Sequence, residues 1–170
     1  LALLVDTSPS VRPVFDEEQR TAIGFLESIL RPQDLSLIIG FDRSVTLIQD
    51  FTESTDLLAE AIYSLDIGSG TSVYDAVYLA GEERLRDEAG RKAIILISDG
   101  EDTTSRIDRT EALVAAHQAD AVIYSISNSL PRISFMTGRP EESGGPHSKR
   151  TACSFSNLPF FPEKCLVRIL

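Results

Sequence analysis

Asp6, Ser8 and Ser10 alternate along one polar run, Asp6-Thr7-Ser8-Pro9-Ser10, directly behind an apolar stretch at residues 1–5. Thr71 follows the glycine-rich segment Gly68-Ser69-Gly70, and Asp99 follows a second apolar stretch at residues 92–98. Carboxylates and hydroxyls without His or Cys make a hard-oxygen donor set. Such a set suits Mg²⁺ or Mn²⁺ and, less readily, Ca²⁺. Alternate residues in a turning loop can point the same way, so Ser8 and Ser10 could serve as paired ligands, with Thr71 a third from another loop. Three neutral hydroxyls leave most of a 2+ charge uncompensated. Mg²⁺ also dehydrates reluctantly, and Asp6 and Asp99 could hold its waters by hydrogen bonds. The expected result is an electrophilic ion with one position open to an acidic side chain of a partner.

For these residues to meet, the elements carrying them must end at one place. Residues 1–5 form a continuous apolar run of strand length. Residues 15–30 switch to a three- and four-residue recurrence (Ala22, Ile23, Leu26, Ile29, Leu30) with acids in the first turn, which predicts an amphipathic helix stopped by Arg31-Pro32. Residues 35–41 and 45–51 read as a hairpin about Asp42-Arg43-Ser44. Thr52 or Ser54 is placed to cap a helix with Leu57, Leu58, Ala61, Ile62 and Leu65 on one face. A helix is expected over residues 73–88, a buried strand over 92–98, a helix over 108–119 and a strand over 121–127. Asp108 and Glu111 have capping-box spacing. Alternating strands and helices imply an α/β fold: a doubly wound, mostly parallel sheet with one antiparallel edge strand and helices on both faces. In such a sheet ligands bind outside the carboxyl ends of the strands, where Asp6, Thr71 and Asp99 would converge.

The 170 residues suit one domain. The expected division is a domain over 1–127, read as lacking its natural start, and an irregular, divergent segment over 128–170. Residues 166–170 have the length and composition of one more short strand. A net charge of −10 disfavours nucleic acid as a partner, and no apolar run approaches the ~20 residues of a membrane span. Cys153 and Cys165 leave both a disulfide and two free thiols open, and without paired His or Cys nearby they make no zinc site.

Three segments carry a resemblance. Leu-Leu-Val-Asp-Thr-Ser-Pro-Ser, Gly-Ser-Gly-Thr-Ser-Val-Tyr-Asp-Ala and Ile-Leu-Ile-Ser-Asp-Gly-Glu-Asp resemble the metal-site motifs of von Willebrand factor type A domains, the family that includes integrin inserted domains. The likeness runs from residue 1 to about 127 and is strongest to a bacterial branch found in secreted or membrane-anchored proteins. It implies a metal-ion-dependent adhesion site, with Ser8, Ser10 and Thr71 binding the metal directly and Asp6 and Asp99 acting mainly through water. Two departures stand out. Pro9 replaces the usual Gly and biases Ser8 toward an extended conformation. The tail runs from Gly144-Gly145 into Pro146-His147-Ser148-Lys149-Arg150 where the branch continues into a strand and a last helix.

The leading function is therefore a metal-dependent protein-binding module for adhesion or assembly. A metal-assisted hydrolase or phosphoryl-transfer enzyme is the alternative, but the chain has no Gly-x-Ser-x-Gly elbow, no phosphate-binding Gly-Lys-Ser/Thr loop and no nucleophile–base constellation. A scaffold with an empty site is the third reading. Plainer roles exist for single residues: Ser8, Ser10 or Thr71 as helix caps, Asp75 and Asp102 as helix-start or loop acids, Asp42 as a hairpin residue. His117 in its Ala-rich helix reads as structural or exposed, and Phe160-Phe161 as a local core contact.

Overall fold

The computed structural model describes residues 1–98, 101–127 and 166–169, the last four and Ser127 through their main chain only. Asp99, Gly100, both cysteines, His147 and the Phe160-Phe161 pair lie outside the described residues.

The first apolar run becomes β1 (Ala2–Asp6). It pairs in parallel with β2 (Ser36–Phe41) on one side and β4 (Lys92–Ile97) on the other. With β3 (Val45–Thr52), β5 (Ala121–Ser127) and β6 (Leu166–Ile169), the sheet runs β3-β2-β1-β4-β5-β6. This is the doubly wound order, and its direction reverses between β1 and β4. The hairpin supplies the expected antiparallel edge strand, β3. A second antiparallel edge comes from β6, paired with β5.

Every residue of β1 is buried, which explains a run without polar alternation. Ala2 and Leu4 join Leu37, Ile39, Ile94 and Leu96 in one layer, under α3 (Val73–Tyr78) and α4 (Arg109–Gln118). Leu3 and Val5 point the other way and join Ile38, Ile95 and Ile97 beneath α1 (Phe15–Ile29) and α2 (Thr55–Tyr63). The two-residue period of a strand thus divides one apolar run between two cores.

The helix boundaries follow local chemistry. Asp16, Glu17 and Glu18 occupy the first turn of α1. The Ser54 hydroxyl accepts from the Leu57 N–H at the start of α2. The Asp108–Glu111 capping box opens α4 as its spacing predicts.

Two features depart from the sequence reading. A 3-10 turn (Pro9–Val14) intervenes before α1 and carries Ser10. The helix expected over 73–88 is α-helical only to Tyr78 and widens into a π-helical stretch, Leu79–Leu85. Gly81 lies in this stretch against α4, and a Cβ there would come within 2.8 Å of the Ala115 carbonyl carbon. Glycine on one side and Ala112, Ala115 and Ala116 on the other let the two helices approach closely. That explains why these three alanines are buried although most of α4 is exposed.

Candidate functional site

Asp6 closes β1 at the point where the strand order reverses, and its side chain is fully buried. One carboxylate oxygen accepts the Ser8 N–H at 2.8 Å, and the other accepts the Ser98 hydroxyl at 2.6 Å. Ser98 immediately follows β4, so Asp6 bridges the two strands that flank the crevice. Ser8 is extended, at φ −69° and ψ 161°, which is the conformation that Pro9 demands of its predecessor. From there the chain enters the 3-10 turn, with Pro9 at its first position, where a missing N–H costs nothing. The turn brings the Ser8 and Ser10 hydroxyl oxygens to 2.8 Å from each other. Ser8 is buried and Ser10 exposed, so the pair leads from the interior to the surface. Neither hydroxyl caps a helix amide: Ser8 stands at the N-cap position of the turn without a side-chain capping bond.

The glycine-rich loop is tied beside this one. Its Gly68 N–H donates to the Thr7 carbonyl at 2.8 Å, while Thr7 donates both its N–H and its hydroxyl to the carbonyl of Phe41. Asp42 accepts the Ser44 N–H and hydroxyl on one oxygen and the Ser69 N–H on the other. Burial pushes the Asp42 carboxyl up, but the hydrogen bonds from Ser44 and Ser69 outweigh it and hold the group below its ordinary range. The hairpin role expected for Asp42 is thus joined by a second one, as an anchor for the loop. A side chain at Gly68 would collide with the Asp42 carboxylate and displace this anchor.

Thr71 is buried, and both of its main-chain groups are engaged. Its N–H donates to the hydroxyls of Thr103 and Thr104, and its carbonyl accepts the N–H groups of the same two residues. Thr71 does not cap α3; Ser72 holds the N-cap position, and the capping is done by Asp102. That carboxylate accepts the Val73 N–H at 2.8 Å. Asp75 in turn accepts the N–H groups of Arg106 and Ile107 at 2.9 and 3.0 Å. Asp75 is therefore a helix-start acid that serves the loop, and Asp102 a loop acid that caps the helix.

The fold thus brings Asp6, Ser8 and Ser10 together at the end of β1 and sets the loop of Thr71 beside them. Asp99 lies outside the described residues. Among the described residues no three His, Cys, Asp or Glu side chains cluster as a metal site. Ser98, Thr103, Thr104 and Ser105 belong to the supporting framework and went unforeseen. Ser98 was within reach of sequence reasoning, because it ends a buried strand beside β1. The threonines pair with a residue more than thirty positions away, and no linear spacing signals that.

A family model described as the von Willebrand factor type A domain matches residues 1–101, more than half of the chain. The chain belongs to the von Willebrand factor type A family. Solved structures with the same fold include proximal thread matrix protein 1 of the mussel byssus, described with a zinc-occupied MIDAS motif. It aligns with a TM-score of 0.65 at 16% identity, over 73% of this chain and 34% of that one. BatB of Bacteroides thetaiotaomicron aligns with a TM-score of 0.62 at 20% identity, over 73% of this chain and 63% of that one. The type V pili tip protein Mfa5 of Porphyromonas gingivalis aligns at 0.51 and 20% identity, over 76% of this chain and 21% of that one. These identities bear on fold alone, and the chain spans less than two thirds of each of these relatives. A search of curated proteins gives no match. Among the described residues no helix of this type A domain is long and apolar enough to cross a membrane.

Proposed function

We propose that this type A domain is a metal-dependent protein-binding module, used for adhesion or assembly, with its body in residues 1–127 and β6 as an added edge. The observation that carries the reading is the hydroxyl pair Ser8–Ser10, 2.8 Å apart beside the buried Asp6 at the reversal of the strand order. The donor chemistry fits a divalent cation: neutral hydroxyls converge next to a carboxylate that is already oriented. Ser8, Ser10 and Thr71 would hold the ion directly, and Asp6 and Asp99 would hold its waters. Mg²⁺ or Mn²⁺ matches such oxygen donors, whereas Zn²⁺ favours nitrogen and sulfur. When bound, the ion supplies an electrophilic position for a carboxylate oxygen of a partner.

The residues of the chain do the rest. Asp6 fixes the main chain of Ser8 and ties β1 to β4 through Ser98. The engaged main chain of Thr71 leaves its side chain as the part able to meet a ligand. The pilus-tip and byssal occurrences of the fold agree with an extracellular binding role but concern those proteins.

Calorimetric titration with MgCl₂ and MnCl₂ tests the reading. Binding by the parent chain that is lost in Ser8→Ala/Ser10→Ala is the expected result. Undiminished binding by a folded double variant would sink the assignment.

A further inference from the structure

The loop that follows β4 is joined to the Thr71 segment by reciprocal hydrogen bonds. The Asp102 carboxylate accepts the N–H of Val73 at 2.8 Å, a longer contact from the Tyr74 N–H at 3.4 Å, and the Ser105 hydroxyl. The Ser105 oxygen accepts the N–H groups of Tyr74 and Asp75 at 3.0 and 3.2 Å. In the opposite direction Asp75 accepts the N–H groups of Arg106 and Ile107. Thr71 exchanges main-chain bonds with Thr103 and Thr104, and the Ser72 and Thr104 hydroxyls lie 2.8 Å apart. Each segment therefore supplies a carboxylate that satisfies open amides of the other.

We infer that Asp102 and Asp75 are positioning residues that clamp residues 71–75 to residues 102–107, so that the Thr71 ligand and the strand-end loop after β4 are set as one body. This rests on the metal reading above for its consequence, but the clamp stands on hydrogen bonds alone. The physical reason is redundancy. Amides at a helix start have no partner within their own helix, and here their acceptors come from the other loop. Moving either loop by itself would orphan donors on both. A metal ligand supported this way is held before any ion arrives. Groups outside the coordination shell that orient ligands typically change metal affinity by about 10–100-fold when removed.

Two measurements on the full chain separate the clamp from the metal reading. The first is amide hydrogen exchange without added metal, on the parent, Asp102→Ala, Asp75→Ala and Asp102→Asn. Faster exchange at Thr71, Thr103 and Thr104 is expected in both alanine variants, although neither variant removes an acceptor of those amides. Asp102→Asn keeps a carbonyl oxygen at the same place and should restore protection. Unchanged exchange at Thr71, Thr103 and Thr104 in the alanine variants would overturn the clamp. The second is MnCl₂ titration of the same set. A loss of about tenfold or more in Asp102→Ala, recovered in Asp102→Asn, is expected. Equal affinity across the set would overturn the positioning role. If the parent binds no Mn²⁺, the metal reading fails while the exchange result still decides the clamp. Should an alanine variant fail to fold, Ser105→Ala replaces it, since it removes the acceptor of the Tyr74 and Asp75 amides and one donor to Asp102 but leaves both carboxylates in place.

Discussion

Two loops meet at the proposed site, and they are held in different ways. The polar run at the end of β1 has bonds between near neighbours: Asp6 takes the N–H of Ser8, and the Ser8 hydroxyl meets that of Ser10, each two residues on. Beside these stand its remote bonds, which join Asp6 to Ser98 and Thr7 to Phe41 and Gly68. The glycine-rich loop is held from afar, by Asp42 on Ser69, the Arg43 carbonyl on the Ser72 hydroxyl, and Thr103 and Thr104 on Thr71, across 27 to 33 residues. A contact between near neighbours, such as Ser8–Ser10, keeps its form if its own residues are kept. A remotely held loop depends on the whole sheet bringing its supports into place. Changes in the first loop should therefore act singly and strongly, and changes around the second should be buffered.

The largest expected effect comes from breaking the first loop. Asp6→Ala removes the acceptor of the Ser8 amide and of the Ser98 hydroxyl inside the protein, and should cost about 1–3 kcal/mol, read from the urea unfolding midpoint. A loss below a few tenths of a kcal/mol would mean that water replaces the carboxylate and that the loop is not self-held.

The buffering of the second loop is measured by Thr103→Val, Thr104→Val and the double variant. Each alone should cost about 1 kcal/mol or less, because the Thr71 N–H keeps its other acceptor. The double variant should cost more than the two singles added together, since the buried donor is then orphaned. Strict additivity would remove the redundancy from the picture.

The smallest effect sharpens the contrast. Pro9→Gly restores the residue usual in the family at that position. The backbone of Ser8 already suits proline, so the substitution should lower stability by only about 0.4–1 kcal/mol, through the freer unfolded chain. Mg²⁺ affinity should not change. A marked gain in affinity would show that Pro9 strains the loop.

The same contrast explains what could be read in advance. The alternation of Asp6, Ser8 and Ser10 lies in one stretch of chain, and its geometry follows from local backbone rules. The capping box of α4 and the apolar run of β1 are legible for the same reason. The 3-10 turn at Pro9–Val14 and the π-helical stretch at Leu79–Leu85 were not. The first depends on how the chain leaves β1. The second lies where Gly81 meets the backbone of α4, and helical periodicity in one segment carries no record of a neighbour's distance.

By itself, then, the sequence determined the α/β class, the positions of the described strands and α-helices, and the residue types of the proposed oxygen-donor set. Those follow from periodicity, caps and side-chain chemistry, which act over a few residues. Only the tertiary structure decided that β1 and β4 lie side by side so that Ser98 reaches Asp6. It also decided that Asp42, Thr103 and Thr104 hold the loop of Thr71 and that Asp102 and Asp75 satisfy each other's segments. These contacts join residues brought together only when the sheet closes over its two cores, and buried amides then take whichever acceptors the packing presents.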